Sequence, residues 1–309
     1  MKTIGIDLGG TKMSAGLMDG PGTIVEKLTV DRPVHQAGME QGPLELAEKL
    51  MQPEVAAIGL GAAGLVSRPD GRLVWGPNVV GRDIPFKDLL EGRFGLPVVV
   101  DNDANLAALA ESQLGAGRGH RHVLLLTLGT GIGGGIVIDG DIYRGRAFAG
   151  EVGHMTLDVG GPQCTCGQRG CWETFASGRR LDQSARDLAA ADPSGLTAEL
   201  AGPGSATGFH LTEAALRGNA QAVQAFAEMG SWLGVGLASL VVVLDPDVII
   251  VGGGAARAGD HLLQPARDAM ADALEGSKFR APTPIVAARL GEDAGIVGAG
   301  LAAAELARG

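Results

Sequence analysis

The sequence predicts an α/β protein built from two related halves. Three observations predict it. A strand, a Gly-Thr turn and a returning strand occur near residue 8 and recur near residue 129. The 309 residues suit two domains at roughly 150 residues each. Strand patterns also alternate with helical patterns through most of the chain. Such an internal duplication implies two α/β lobes with a cleft between them.

Taken in order, Thr3 to Leu8 reads as a buried strand and Asp7-Leu8-Gly9-Gly10-Thr11-Lys12 as a tight turn. Met13 to Met18 and Thr23 to Val30 return from it as strands. A hairpin after the glycines excludes Rossmann and Walker phosphate loops, which need a helix there. Leu44 to Met51 reads as helix, and Val55 to Leu60 as a strand ending in a glycine-rich turn. Phe86 to Phe94 is a helix, Val98 to Val100 a short buried strand, and Asn102 to Leu114 a helix capped by Asp101 or Asn102. Val123 to Leu128 is a strand, residues 129 to 135 a second glycine turn, and Ile136 to Asp139 its returning strand. Residues 192–208 read as a surface loop. Thr212 to Leu244 is a long helical region with a break near Met229-Gly230. Val248 to Val251 is a strand ending in three glycines, His261 to Leu274 a helix, Ile285 to Ala288 a strand, and Ile296 to Leu306 a closing helix.

Composition narrows the function classes. A hydrophobic share of 45% and a charged share of 19% describe a globular chain with ample core. The net charge of −10 argues against nonspecific binding to nucleic acid or an anionic membrane. The opening residues run straight into a strand pattern, so no signal peptide is expected. The apolar stretch from Leu237 to Leu244 is too short to span a bilayer. Thiols without disulfide partners suit a reducing cytoplasm.

All three cysteines, Cys164, Cys166 and Cys171, fall inside eight residues, with His154 ten positions earlier. Three thiolates and one imidazole suit a tetrahedral zinc ion with no open position, a structural site. A disulfide suits them poorly, since three is odd and close loop cysteines bridge with strain.

The glycine turns are candidate phosphate contacts, because glycine lets backbone N–H groups approach phosphate oxygens. The first supplies Gly9, Gly10, Thr11 and Lys12, with Asp7 placed to hold a hydrated magnesium ion. The second supplies Gly129, Thr130, Gly131 and Gly133, and Gly252, Gly253 and Gly254 form a third close-approach site. Asp101-Asn102-Asp103-Ala104-Asn105 lies between strand and helix, where open α/β sheets bind ligands. An aspartate there can take a proton from a substrate hydroxyl. Asn78, Asn102, Asp103, Glu151, His154 and Glu173 supply the paired carboxylates and amides that polyol recognition requires. Singly, each is an ordinary surface, turn or capping residue.

These motifs resemble the ROK family of sugar kinases and sugar-responsive repressors. The matching segments are Gly5-Ile-Asp-Leu-Gly-Gly-Thr-Lys12, residues 101–105, residues 129–135, Gly150-Glu-Val-Gly-His154, residues 164–173 and Val251-Gly-Gly-Gly254, in family order. The resemblance implies a two-lobed, actin-like (ribonuclease H-like) ATPase fold. One lobe would span residues 1–115, completed by 295–309, and a larger one 116–294 with the zinc loop. It implies phosphoryl transfer from magnesium-bound ATP to the 6-hydroxyl of a hexose, glucose first among them, with lobe closure excluding water. By position, Asp103 resembles the catalytic base. Asn78, Asn102, Glu151, His154 and Glu173 resemble the sugar contacts, and His154, Cys164, Cys166 and Cys171 the zinc ligands. A homodimer or homotetramer is expected. The loop Val79-Val80-Gly81-Arg82 departs from the family's Gly-Trp pattern, which bears on packing around the sugar. Other readings are a kinase for N-acetylglucosamine, N-acetylmannosamine, mannose, fructose or allose, and a non-catalytic sugar-responsive regulator. The regulator is disfavoured because the first strand begins at Thr3, leaving no room for a DNA-binding helix-turn-helix.

Overall fold

The structure, a computed structural model, describes residues 1–77 and 79–309. Strands β1 (Lys2–Leu8), β2 (Lys12–Asp19) and β3 (Ile24–Asp31) form an antiparallel meander. Helix α1 (Gln36–Leu50) leads to β4 (Val55–Ala62), followed by the small hairpin β5 (Leu65–Ser67) and β6 (Arg72–Trp75). Helix α2 (Phe86–Phe94), strand β7 (Val98–Asn102) and helix α3 (Asp103–Leu114) complete the first series. Its sheet runs β3-β2-β1-β4-β7, with β1, β4 and β7 parallel.

The second series repeats that order. Strands β8 (Val123–Leu128), β9 (Ile132–Ile138) and β10 (Asp141–Ile142) precede helices α4 (Glu173–Ala176), α5 (Gly178–Ala191), α6 (Leu196–Ala201), α7 (Gly208–Leu216) and α8 (Ala220–Leu244). Then come β11 (Val248–Gly252), α9 (Asp260–Ala273), β12 (Ile285–Ala287) and α10 (Ala294–Leu306). The second sheet runs β10-β9-β8-β11-β12. The two sheets therefore match strand for strand, as the duplicated Gly-Thr turns predict.

The chain divides into two compact units. Unit 1 comprises residues 1–125, 134–150 and 288–309; unit 2 comprises 126–133 and 151–287. The core of unit 1 is the central parallel strands, Ile4, Ile6, Leu8, Ile58, Leu60 and Val100, all buried. Helix α10 packs on β1, β4 and α3. It comes close enough that a Cβ at Gly298 would fall on the Leu106 carbonyl. Glu111 of α3, fully buried, accepts from the Arg289 and Leu290 backbone amides at 2.8 and 2.7 Å and from Ala116 at 2.7 Å. Three donors satisfy a carboxylate that would otherwise be costly to bury.

Four boundaries differ from the sequence reading. Strand β9 begins at Ile132, so only residues 129–131 form the turn, and Gly133 to Gly135 are strand. Those glycines serve packing: a Cβ at Gly135 would lie 2.5 Å from the Ala104 carbonyl of α3. The long helical region breaks at residues 217–219, not at Met229-Gly230. Asn219 caps the new helix by accepting from Ala222, and Gly230 runs through α8 pressed on α9. The segment 192–208 is not all loop, since it holds α6. Helix α1 starts eight residues before Leu44, with His35 accepting from Gly38 as its cap. Helix α8 is long and apolar enough to cross a membrane, and half of its most apolar window is buried in the fold, as in a core helix.

Candidate active site and metal centre

Strand register builds the unit 1 part of the site. Asp7 pairs with Gly61, and Gly61 with Asp101, so both acids stand at the C-terminal edge of the sheet on β1 and β7, the parallel strands that flank β4. Asp103 follows as the first residue of α3. Gly61 brings that helix close, since a Cβ there would sit 3.3 Å from the Asp103 Cα.

The structure separates the two residues that sequence treated as alternative caps. Asn102 is the cap: its Oδ1 accepts from Ala104 and Asn105 at 2.9 and 3.1 Å. Its Nδ2 donates to Gly64 O at 3.1 Å, which leaves one amide hydrogen for a ligand. Asp101 is instead a buried charge centre. Its Oδ2 takes the Arg144 Nε at 2.7 Å, with the Arg68 Nε at 3.5 Å. Its Oδ1 takes the Asn102 amide and the Asn105 side chain. Sequence reasoning missed Arg144. It belongs to no motif and lies 43 residues from its partner.

Asp103 accepts from the Ala104 amide at 2.9 Å. Burial nevertheless raises its pKa to about 6, against lowering by the backbone hydrogen bonds at the helix start. Asp7 is pushed to about 7, first by burial, then by the Asp103 carboxylate, with Lys27 opposing. Gly295, at the start of α10, lies so close that a Cβ would stand 2.6 Å from the Asp7 carboxyl carbon. The first turn is held by Gly9 N to Lys12 O at 3.1 Å and Arg32 N to Thr11 O at 3.0 Å.

These two acids couple pH to stability. Both bind protons more tightly folded than unfolded, so their contribution falls as pH rises from about 4 to 7. Removing the Asp7 charge abolishes its share. Asp7→Asn should raise the melting temperature of ligand-free protein at pH 8 by a few degrees and flatten its dependence between pH 4 and 7. Differential scanning calorimetry across that range checks it; a variant melting lower at pH 8 contradicts the assignment.

Unit 2 holds the remaining candidates. Gly253 (φ 84°) follows β11 in a conformation that disfavours side chains, and a Cβ there would lie 2.6 Å from the Leu128 backbone. It thus lets the third glycine run press against the strand that leads into the second turn. That turn closes with Gly129 N to Gly131 O at 3.1 Å, and Gly178 N, opening α5, donates to Gly129 O at 2.7 Å. Gly129 and Gly254 face open space. Glu151 precedes a 3-10 turn (Val152–His154) whose His154 amide donates to the Glu151 carbonyl at 3.1 Å. Asn78, the remaining sugar-contact candidate, lies outside the described residues.

The nitrogen of His154 and the sulfurs of Cys164, Cys166 and Cys171 all lie within 4.8 Å of one another. Cys166 and Cys171 are 3.6 Å apart at sulfur, and Cys164 Sγ is 3.8 Å from His154 Nδ1. Edges of a tetrahedron with zinc–sulfur bonds of about 2.3 Å measure about 3.8 Å, so the donor set fits a metal. Burial raises the Cys164 and Cys171 thiols, and a bound cation reverses that. Glu173, 6% exposed, takes the Cys164 sulfur on Oε1 at 3.0 Å, with His154 Nδ1 3.8 Å away. The loop is stitched at Cys164 N to Gln168 O and Trp172 N to Met155 O, both 2.8 Å.

Residues 3–305 match the ROK family. The chain belongs to that family. It is 42% identical to a glucokinase of Streptomyces coelicolor over 99% of this chain and 97% of that one. A glucokinase of Thermotoga maritima is 38% identical over 97% and 96%. Among solved structures, a ROK family glucokinase of Streptomyces griseus, in complex with glucose and AMPPNP, superposes with a TM-score of 0.91 at 42% identity, covering 99% of this chain and all of that one. The fold is the two-lobed ROK sugar kinase fold.

Proposed function

We propose that this ROK kinase transfers the γ-phosphoryl group of ATP to the 6-hydroxyl of glucose, giving glucose 6-phosphate and ADP. The observation that carries the reading is Asp103, a carboxylate raised to about 6 at the helix start beside Asp7. Near neutrality it is ionised and still basic enough to take a hydroxyl proton. The relatives named above, glucokinases along their whole length, support glucose as the acceptor.

In this reading Asp103 accepts the 6-hydroxyl proton as the oxygen attacks phosphorus. The free amide hydrogen of Asn102, with Asn78, Glu151, His154 and Glu173, orients the sugar hydroxyls. The turns Gly9–Lys12 and Gly129–Gly131 offer backbone donors to the phosphates, Gly133 supports the second from within β9, and Gly252–Gly254 receives the nucleoside. Asp7 would hold magnesium, which neutralises phosphate charge when bound. His154, Cys164, Cys166 and Cys171 would hold a structural zinc that fixes the loop from which Glu173 follows, two residues after Cys171. Three unpaired thiols support a cytoplasmic location. The exposed Val235, Val242 and Val243 of α8 support a homodimer or homotetramer.

The acceptor is tested by initial rates on a sugar panel. Glucose should exceed N-acetylglucosamine, N-acetylmannosamine, mannose, fructose and allose in kcat/KM by at least about tenfold, roughly 1.4 kcal/mol of transition-state binding. A higher value for another hexose would replace glucose and keep the kinase chemistry.

A further inference from the structure

One buried ion pair of unit 1 is left unexplained by the fold. Strand β7 and helix α3 meet at Asp101, which is 3% exposed. Its carboxylate only accepts. Oδ2 takes the Arg144 Nε at 2.7 Å, and Oδ1 takes the Asn102 amide and the Asn105 Nδ2 at 2.8 and 3.1 Å. The Arg68 Nε stands 3.5 Å away on a half-exposed side chain, too far for a good hydrogen bond. Capping does not require this acid, because Asn102 alone caps α3. Stability does not require it either, since a well-packed apolar pair often replaces a buried ion pair without loss.

Two details point to placement of the helix start. The first is that Arg144 is itself anchored. It follows β10, and its Nη1 donates to the Ile142 carbonyl at 3.1 Å. The backbone on either side is held by Tyr143 N to Ile136 O at 2.7 Å and Ala149 N to Arg144 O at 3.2 Å. The second is Asn105, 2% exposed. An ionised carboxylate has no proton to give, so Asn105 must turn its nitrogen to Asp101. Its Oδ1 then has no donor among the described residues and faces the Cβ position of Gly150 at 3.7 Å. An unpaired buried acceptor is destabilising, so Asn105 holds Asp101 against the interest of the core.

The cation is also set one residue away from the proposed base. Asp103 accepts from the Ala104 amide and takes no guanidinium among the described residues. A guanidinium on Asp103 would favour its charged form and weaken it as a base. On Asp101 the same group fixes the backbone that carries Asp103 and leaves that carboxylate free to take a proton.

We propose that Arg144 is a positioning residue for phosphoryl transfer: by clamping Asp101 to the end of β10 it fixes the start of α3 and with it Asp103. This rests on Asp103 being the base of the reaction proposed above. Misplacing a reacting group by about 1 Å is enough to cost on the order of 10²-fold in rate.

The test is the paired variant Asp101→Asn/Arg144→Met, which leaves no buried charge without its partner and should melt near the wild type. Its kcat on the best hexose should fall at least about tenfold, while the KM for ATP stays within about twofold. Arg144→Lys keeps a cation with donors for both Asp101 and the Ile142 carbonyl, and should return kcat to within about threefold of the wild type. The deciding arm repeats the paired change in Asp103→Asn. A clamp that acts through Asp103 causes less than about threefold further loss there, whereas a purely structural pair loses the same factor in both backgrounds. If the paired variant melts early, Arg144→Gln, which keeps a neutral donor for Asp101, is judged by the same criteria. Wild-type kcat in the paired variant, or equal fractional loss in both backgrounds, overturns the proposal. Normal turnover in Asp103→Asn removes the base and this proposal with it. A wild-type rate in the paired variant beside an impaired Asp103→Asn removes this proposal alone.

Discussion

Asp103→Asn lowers turnover by roughly 10²–10⁴, the scale of removing a general base. The amide keeps the size of the side chain and can still accept from the Ala104 amide, so α3 keeps its start. What it loses is the acceptor for the hydroxyl proton. Nucleotide affinity should stay near the wild-type value, since the turns proposed to hold the phosphates are built from other residues. The wild-type pH profile provides a second reading. Protonation of Asp103 removes the base, so kcat/KM should fall about tenfold per pH unit below about pH 6. The variant should lose this step and keep only the titration of Asp7, the proposed magnesium ligand. Steady-state kinetics between pH 5 and 9 measures both effects. Near-normal turnover in the variant, or an unchanged acid limb, would refute the assignment.

Metal removal has the other large effect. One zinc per chain is expected by elemental analysis, with three sulfur ligands and one nitrogen ligand by X-ray absorption. Stripping the metal, or Cys166→Ala, should open the loop from about Val159 to Trp172 and weaken sugar binding roughly 10–100-fold. The path is physical: Glu173 follows Cys171 by two residues, and the Trp172 amide ties the same loop to Met155. With the sulfurs no longer drawn together, Glu173 loses its orientation. Hydrogen exchange should rise within this loop and stay level in β8 and α8. Metal-free protein with full glucose affinity and an unopened loop sinks this account.

The cluster of His154 with the three cysteines was the most legible part of the candidate site. Their chemistry depends on residue type and short spacing, and the fold brings all four donors together. The turns at Gly9 and Gly129 were legible for the same reason, because turn chemistry is local. The extent of the second turn was not. Gly133 to Gly135 look like loop residues, yet they are strand residues made small by α3 lying across them. The break in the long helical region was misplaced because glycine reads as a breaker. In α8, Gly230 instead admits the backbone of α9.

Sequence alone determined the two-lobed α/β class, the duplicated strand–turn–strand units, the Cys₃His cluster and Asp103 at a strand-to-helix junction. Each rests on periodicity, spacing or turn chemistry, which act within about a dozen residues. Tertiary structure decided the rest. Asp101 and Asn102, interchangeable as caps on paper, divide their work because Arg144 arrives from 43 residues away and claims Asp101. Glu111 looks like an ordinary helix residue until the amides of Arg289 and Leu290, 178 and 179 residues on, reach its carboxylate. The raised pKa values of Asp7 and Asp103 likewise follow from burial and, for Asp7, from the Asp103 charge brought near by the pairing of β1, β4 and β7. Desolvation, charge pairing and close packing depend on which groups meet in space, and long-range strand register, not local pattern, sets that.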